Sequence, residues 1–325
     1  MKVTLLGTGA YGLAIASKLA SNNINVCMWT ESKEKETEYQ KTHNLKSINA
    51  YYEMPNNIEV TSNIEDAMNG AKIIFFTCAS KYVSDMCSMI LPYFKKDMII
   101  CIASKGLDEK SCNLLSNIVK FILNTKNITV ISGPTFAVDM LNNDPVALAI
   151  AGTNKKSRNE VINALCGKTL KLRKSNDLIG IQICGSIKNI IAIASGILGG
   201  LGYSESTRAF LINESLHDIK NLIHYMGGKK KTILSFAGVG DLLMTCMSTK
   251  SRNYSFGYVI GKTKDKIAIE KYLENNTVEG LNTLKTVLIL LKRKNINIPL
   301  ITLIYDIINF EKSPETLAEF LINKK

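Results

Sequence analysis

Six residues near the start of the chain, Gly7-Thr8-Gly9-Ala10-Tyr11-Gly12, restrict what it can fold into more than any other stretch. They read G-x-G-x-x-G, follow the apolar run 3–6 and open an apolar helical pattern over 13–21. Glycines also punctuate ordinary loops, so the spacing acquires meaning only from this strand-to-helix setting. In that setting each glycine has a task. Gly7 permits a tight turn, Gly9 lets a pyrophosphate approach the backbone, and Gly12 lets helix and strand pack closely. Free N–H groups at the helix start then face the phosphates. The turn therefore predicts a dinucleotide site.

The surrounding pattern agrees with a fold of that kind. Apolar runs at 3–6, 24–29, 73–77, 98–103, 128–131 and 146–151 read as strands, and stretches such as 13–21 and 82–91 are long enough for crossover helices. The expected class is α/β, a Rossmann-type doubly wound parallel sheet domain followed by an all-α C-terminal domain. Strand signals fade from about Asp177, and helical patterns take over at 178–198, 205–225, 277–292 and 300–310. We expect a dinucleotide-binding domain over 1–176 and a helical substrate-binding and catalytic domain over 177–325. The active site is expected in a cleft between them. A chain of 325 residues, 46% hydrophobic, has ample material for both cores.

Charge and cysteine usage narrow the setting. The net charge is +12, from 40 Lys+Arg against 28 Asp+Glu, yet the lysines are scattered and the densest run is Lys229-Lys230-Lys231. A solvated basic surface is the plain reading; it favours an anionic small-molecule substrate and gives no specific reason to expect nucleic acid. Eight cysteines lack any C-x-x-C pair and mostly sit in apolar runs such as Ile99-Ile100-Cys101-Ile102, as buried reduced thiols do. A cytoplasmic location follows, since the apolar run 3–6 begins too early for a signal peptide. The stretch 178–198 is long and apolar, but Gln182, Ser186, Lys188 and Asn189 lie near its middle. A lysine at the centre of a spanning helix costs about 2.5–3.5 kcal/mol on insertion scales. It reads as a core helix, and no stable membrane insertion is expected.

Lys188 stands out on that helix, because a lone ammonium among apolar residues must be paired or functional. A buried lysine can serve as a base near neutral pH, taking the proton from an alcohol as hydride leaves and returning it in the reverse direction. A second constellation is Gly238-Val239-Gly240-Asp241-Leu242, then Thr245-Cys246 and Ser248, then Ser251-Arg252-Asn253. Arg252 can grip a phosphate through paired N–H donors, Ser251 and Asn253 add directed hydrogen bonds, and Asp241 can hold the Lys188 ammonium. Taken singly, each also reads as a helix cap or a surface turn. Glu31 lies just past the second strand run, where an acidic side chain binds a ribose 2′-hydroxyl and repels a 2′-phosphate; this favours NAD over NADP, with Lys33 and Lys35 arguing the other way. The three histidines, His43, His217 and His224, form no metal-spaced group, so no metal is expected. Tyr225 and Lys229 make a Y-x-x-x-K pair, but Gly227-Gly228 between them would break the aligning helix.

Together these motifs resemble the NAD(P)-dependent glycerol-3-phosphate dehydrogenases. The matching runs are the glycine turn, Ser104-Lys105-Gly106-Leu107, Ser132-Gly133-Pro134-Thr135-Phe136-Ala137, Gly185-Ser186-Ile187-Lys188-Asn189, residues 238–246, Ser251-Arg252-Asn253 and Val278-Glu279-Gly280, in the family's order. The resemblance implies reversible reduction of dihydroxyacetone phosphate to sn-glycerol 3-phosphate, supplying phospholipid synthesis, and commonly a homodimer. It implies Lys188 as proton acceptor, with Lys105, Gly133, Thr135, Asp241, Ser251, Arg252 and Asn253 on the substrate. It places Ala10, Tyr11, Lys105, Ala137, Arg252, Val278 and Glu279 on the cofactor.

Three positions depart from the family pattern. Glu31 stands where a basic residue is frequent, Asn213-Glu214 replaces a usual Thr-Arg, and Cys78-Ala79-Ser80 lacks a common proline. Two other readings stay open. A related hydroxyacid dehydrogenase would share Gly185-Ser186-Ile187-Lys188, though Ala192 stands where such enzymes often carry asparagine. A catalytically silent NAD-binding sensor would keep the glycine turn with no reason to keep Lys188, Asp241 and Arg252. Peripheral attachment to anionic membrane through the basic surface is compatible with either enzyme reading.

Overall fold

The computed structural model describes residues 1–47 and 50–324. They form two compact units, one of residues 1–105 and 114–178, the other of residues 106–113 and 179–325.

The first unit is built on an eight-stranded sheet. Its strands are β1 (Lys2–Leu6), β2 (Asn25–Trp29), β5 (Ile58–Thr61), β6 (Ala71–Phe76), β7 (Ile99–Ile102), β8 (Ile128–Ser132), β9 (Val146–Gly152) and β10 (Leu170–Lys174). A separate two-stranded antiparallel sheet pairs β3 (Asn44–Ser47) with β4 (Ala50–Glu53). The spatial order is β10-β9-β8-β7-β6-β1-β2-β5, so the chain reverses direction across the sheet beside β1. That reversal is the switch point where open α/β sheets bind ligands. All six expected strands are present, with bounds that differ by one or two residues. The sheet is not wholly parallel: β8 and β9 run antiparallel, and β9 and β10 are parallel to each other. A parallel return needs a full crossover helix, and between β8 and β9 the only helix is five residues long.

The helices of this unit are α1 (Ala10–Ser21), α2 (Lys33–Thr42), α3 (Ile64–Met68), α4 (Val83–Ile90), α5 (Leu115–Leu123), α6 (Ala137–Leu141) and α7 (Lys155–Leu165). Leu13, Ile15 and Leu19 of α1 join Val3, Leu5, Ile73, Phe75, Leu148 and Ile150 of the sheet in one apolar core. Each such side chain, fully buried, contributes about 1.5–3 kcal/mol. The core therefore fixes α1 firmly, and with it the glycine turn at its start.

The second unit is helical: α8 (Leu178–Gly200), α9 (Glu205–Tyr225), α10 (Asp241–Met247), α11 (Arg252–Thr263), α12 (Lys266–Asn275), α13 (Glu279–Lys294), α14 (Pro299–Ile308) and α15 (Thr316–Asn323). Among the described residues α8 alone is long and apolar enough to cross a membrane, and 89% of its most apolar window is buried in the protein. It is a core helix. Its partner is α11, and the two backbones approach unusually closely. A Cβ on Gly196 would lie 2.0 Å from the Tyr254 carbonyl oxygen, and one on Gly200 2.3 Å from that of Tyr258. Reciprocally, a Cβ on Gly257 would lie 1.9 Å from the Ile193 oxygen and one on Gly261 2.2 Å from that of Ile197. Each helix thus presents a Gly-x-x-x-Gly ridge to the other, a spacing that stacks small residues on one helical face.

Candidate active site

In the first unit the glycine turn has the geometry its spacing predicts. Gly7 adopts φ +122°, a backbone conformation that side chains disfavour. Gly12 has no room for a Cβ, which would meet the Gly7 carbonyl oxygen at 2.6 Å and the Thr77 hydroxyl at 3.0 Å. Thr77 explains that crowding, because its hydroxyl donates to the carbonyls of Leu6 and Gly7, each at 3.1 Å. Gly9 is the opposite case: nothing lies within 4 Å of its Cβ position. Gly9 stands at the N-cap of α1 and supplies no side-chain acceptor. A backbone concavity at a helix N-terminus with open space above it fits a pyrophosphate.

The other motifs of this unit gather at the carboxyl ends of the strands. The Tyr11 and Thr135 hydroxyls lie 3.1 Å apart. Lys105 donates to the Gly133 carbonyl at 3.3 Å, and Gly133 must be glycine, since a Cβ there would meet the Ala147 oxygen at 2.9 Å. Ala137 opens the short α6. Glu31 is exposed just after β2. The missing proline of Cys78-Ala79-Ser80 has a local substitute in Ser104, whose hydroxyl donates to the Cys78 carbonyl at 2.5 Å and pins the end of β6.

The second unit brings its predicted residues together around Lys188. Lys188 is 6% exposed, inside α8, and its ammonium forms an ion pair with Asp241, itself 0% exposed. The same ammonium donates to the Thr245 hydroxyl at 2.9 Å. Two buried charges are tolerated only as a pair with further hydrogen bonds, and this arrangement supplies both. Asp241 is delivered by Gly238, where the backbone kinks at φ −89°, ψ −109° and a Cβ would lie 2.0 Å from the Ile233 oxygen. Ser195 ties α8 to α10 again by donating to the Cys246 carbonyl at 2.7 Å. The buried Cys246 thiol is pushed well up, chiefly by desolvation; the Lys188 charge opposes this and Asp241 adds to it. It is a packing residue rather than a nucleophile.

Thr245 is the residue the sequence left without a role. Its only signal was its place four residues after Asp241, which puts both on one face of α10. Its hydroxyl donates to the Asp241 carbonyl at 2.6 Å and is thereby oriented to accept from Lys188.

The phosphate-binding candidates sit at the start of α11. The Ser251 hydroxyl caps the helix, accepting from the Tyr254 N–H at 3.2 Å. Arg252 is exposed in the first turn, and the Tyr272 hydroxyl donates to its carbonyl at 3.0 Å. Asn253 is buried, and its side-chain oxygen accepts from the Gly280 N–H at 2.9 Å. That bond joins α11 to the Val278-Glu279-Gly280 run at the start of α13. Gly280 allows it, since a Cβ there would lie 2.8 Å from the Asn253 oxygen and 2.9 Å from the Asn189 carbonyl, next to Lys188.

Among the other candidates, Glu214 of the departing Asn213-Glu214 pair joins Asp218 in an ion-pair cluster with Lys324, at 3.4 Å and 2.9 Å. Its place is at the C-terminal segment rather than beside Lys188. Among the described residues no three His, Cys, Asp or Glu side chains converge as metal ligands do.

Comparison with known proteins covers nearly the whole chain. Residues 2–158 match the model for the N-terminus of NAD-dependent glycerol-3-phosphate dehydrogenase, and residues 177–319 the model for its C-terminus. A glycerol-3-phosphate dehydrogenase [NAD(P)+] of Tolumonas auensis is 31% identical over 99% of this chain and 97% of its own. The one from Actinobacillus pleuropneumoniae is 32% identical over 99% and 96%. The crystal structure of glycerol-3-phosphate dehydrogenase from Coxiella burnetii superposes with a TM-score of 0.93 at 29% identity, covering 99% of both chains. Two family models that together span nearly the entire sequence, with relatives above 30% identity over 96% or more of their own length, place this chain in the NAD-dependent glycerol-3-phosphate dehydrogenase family.

Proposed function

We propose that this protein reversibly reduces dihydroxyacetone phosphate to sn-glycerol 3-phosphate with a nicotinamide cofactor, and that Lys188 carries the proton. The observation that supports it most is the buried Lys188 ammonium held by Asp241 and Thr245. An ammonium fixed by a carboxylate and a hydroxyl is held in one orientation, which is what a positioned acid–base group requires.

The glycine turn would hold the dinucleotide through Gly7, Gly9, Ala10, Tyr11 and Gly12, with Glu31 at the adenosine ribose and Ala137, Val278 and Glu279 as further contacts. When bound, the nicotinamide supplies hydride to the carbonyl carbon. Lys188 gives its proton to the carbonyl oxygen, so that C=O becomes CH–OH, and in the reverse direction takes the hydroxyl proton back. Asp241 holds the ammonium in place. Lys105, Gly133 and Thr135, and separately Ser251, Arg252 and Asn253, are the proposed substrate ligands, with Arg252 the principal phosphate ligand. The same reading carries a cytoplasmic homodimer that supplies glycerol phosphate for phospholipid synthesis.

Loss of reduced nicotinamide absorbance with dihydroxyacetone phosphate, against a blank and against unphosphorylated dihydroxyacetone, tests the activity. Rapid loss with the phosphate ester alone supports it; NADH that binds and is never oxidised leaves the sensor reading instead. Arg252→Ala should raise KM for dihydroxyacetone phosphate by about 10–100-fold, the loss expected for hydrogen bonds to a charged group. Unphosphorylated dihydroxyacetone should be hardly affected. Equal losses on both compounds would remove Arg252 from the phosphate.

A further inference from the structure

One buried carboxylate takes no part in that mechanism. Glu36, in the first turn of α2, is buried and bonded to Ser62, just past the carboxyl end of β5. One of its oxygens accepts from the Ser62 hydroxyl at 2.5 Å and from the Ser62 N–H at 3.0 Å. The other accepts from Gln40 at 3.2 Å. The Lys33 ammonium completes the set at 2.8 Å. Lys33 first, and the Ser62 donors after it, hold the Glu36 carboxyl down to about 2, so it is charged at every working pH.

Two hydroxyls of this corner are also committed. The Ser32 hydroxyl accepts from the Lys35 N–H at 3.1 Å and donates to Glu34 at 2.7 Å. The Thr30 hydroxyl accepts from the Ser32 N–H at 3.3 Å. Residues 31–36 thus carry three carboxylates against two lysines, and the lysine nearer Glu31 is tied to a carboxylate that cannot turn away. A ribose 2′-hydroxyl is neutral and tolerates such surroundings. A 2′-phosphate dianion instead meets net negative charge, with Lys33 engaged by Glu36.

We propose that Glu36 is a specificity-determining residue of this enzyme: by engaging Lys33 and fixing a negative charge at the β2–α2 corner, it selects NAD(H) against NADP(H). This rests on the reading of the glycine turn as the dinucleotide site. Glu31 repels the phosphate directly, whereas Glu36 acts through Lys33.

Titrating the full-length protein with NADH and NADPH, read by nicotinamide fluorescence, tests the idea without turnover. The wild type should bind NADH the more tightly. Glu36→Gln keeps the shape that Ser62 requires but releases Lys33. NADPH affinity should then rise about fivefold, the scale of a solvent-exposed charge pair, with NADH affinity within about twofold. The gain should shrink as salt is raised. Lys33→Ala alone should change NADPH affinity by less than about twofold, because Lys33 is not available to the phosphate; Lys33→Ala in the Glu36→Gln background should abolish the gain. A Lys33→Ala protein that loses NADPH affinity in the wild-type background would overturn the proposal, as would an unchanged NADPH-to-NADH ratio in Glu36→Gln. Failure of the wild type to bind either dinucleotide would instead overturn the function proposed above.

Discussion

Replacing Lys188 by alanine should lower turnover by about 10²–10⁴-fold, the range for removing a positioned acid–base group, while NADH affinity stays near that of the wild type. The same substitution should also destabilise the protein, for a separate reason. Asp241 has no exposed surface, and removing its cation leaves a buried, uncompensated carboxylate, a loss of about 3–5 kcal/mol. Low activity alone would therefore be ambiguous. The double variant Lys188→Met with Asp241→Asn separates the two effects, since it removes both charges and keeps the side-chain volumes similar. Its Tm should recover most of what Lys188→Ala loses, and its turnover should not recover at all. If a stably folded double variant retained turnover within about fivefold of the wild type, Lys188 would be a structural ion-pair partner and the proton would travel by another route.

Lys188 illustrates what was legible in the sequence. A charge in an apolar helix is conspicuous on its own, and Asp241 belongs to a glycine-framed run that is equally conspicuous. The glycine turn was legible because backbone conformation, close packing and open approach each left a glycine at a fixed spacing. Elements whose stability comes from neighbours were not. α2 reads KEKETEYQKT, with Tyr39 its one large apolar residue, and is fixed by the Ser32 cap and by Glu36 clasping Ser62. β10 reads LKLRK, a short alternation typical of a sheet edge guarded by basic side chains. The antiparallel turn into β9 was invisible because strand direction depends on the length of the connecting helix, not on the strand's composition. Within the site, the role of Thr245 and the engagement of Lys33 by Glu36 each require two elements to be placed before the contact exists.

The glycine ridges of α8 and α11 belong to that second kind, and substituting them should have the other large effect. Local propensity says Gly257→Ala should stabilise, since alanine in a helix interior is favoured by about 0.8–1 kcal/mol. Packing says the reverse. The new Cβ would lie 1.9 Å from the Ile193 carbonyl oxygen and 2.9 Å from the Ile197 N–H nitrogen, which are backbone atoms of the facing helix. A side chain could rotate away from such an overlap; a hydrogen-bonded helix backbone cannot. The two helices must part by an ångström or more, and overpacking of this kind costs about 1–3 kcal/mol and at times more. Packing wins, so Tm should fall by several degrees. The separation also matters to chemistry, because α11 begins at Arg252 and α8 carries Lys188. A displacement near 1 Å between reacting groups can cost about 10²-fold, so kcat/KM for dihydroxyacetone phosphate should fall by about 10–100-fold with NADH affinity unchanged. Gly9→Ala should show the mirror image: its Cβ meets nothing within 4 Å, so Tm holds while cofactor affinity drops. A Gly257→Ala protein with unaltered Tm and turnover would mean that the two ridges are not held in contact, and that some other packing sets the distance from Lys188 to Arg252.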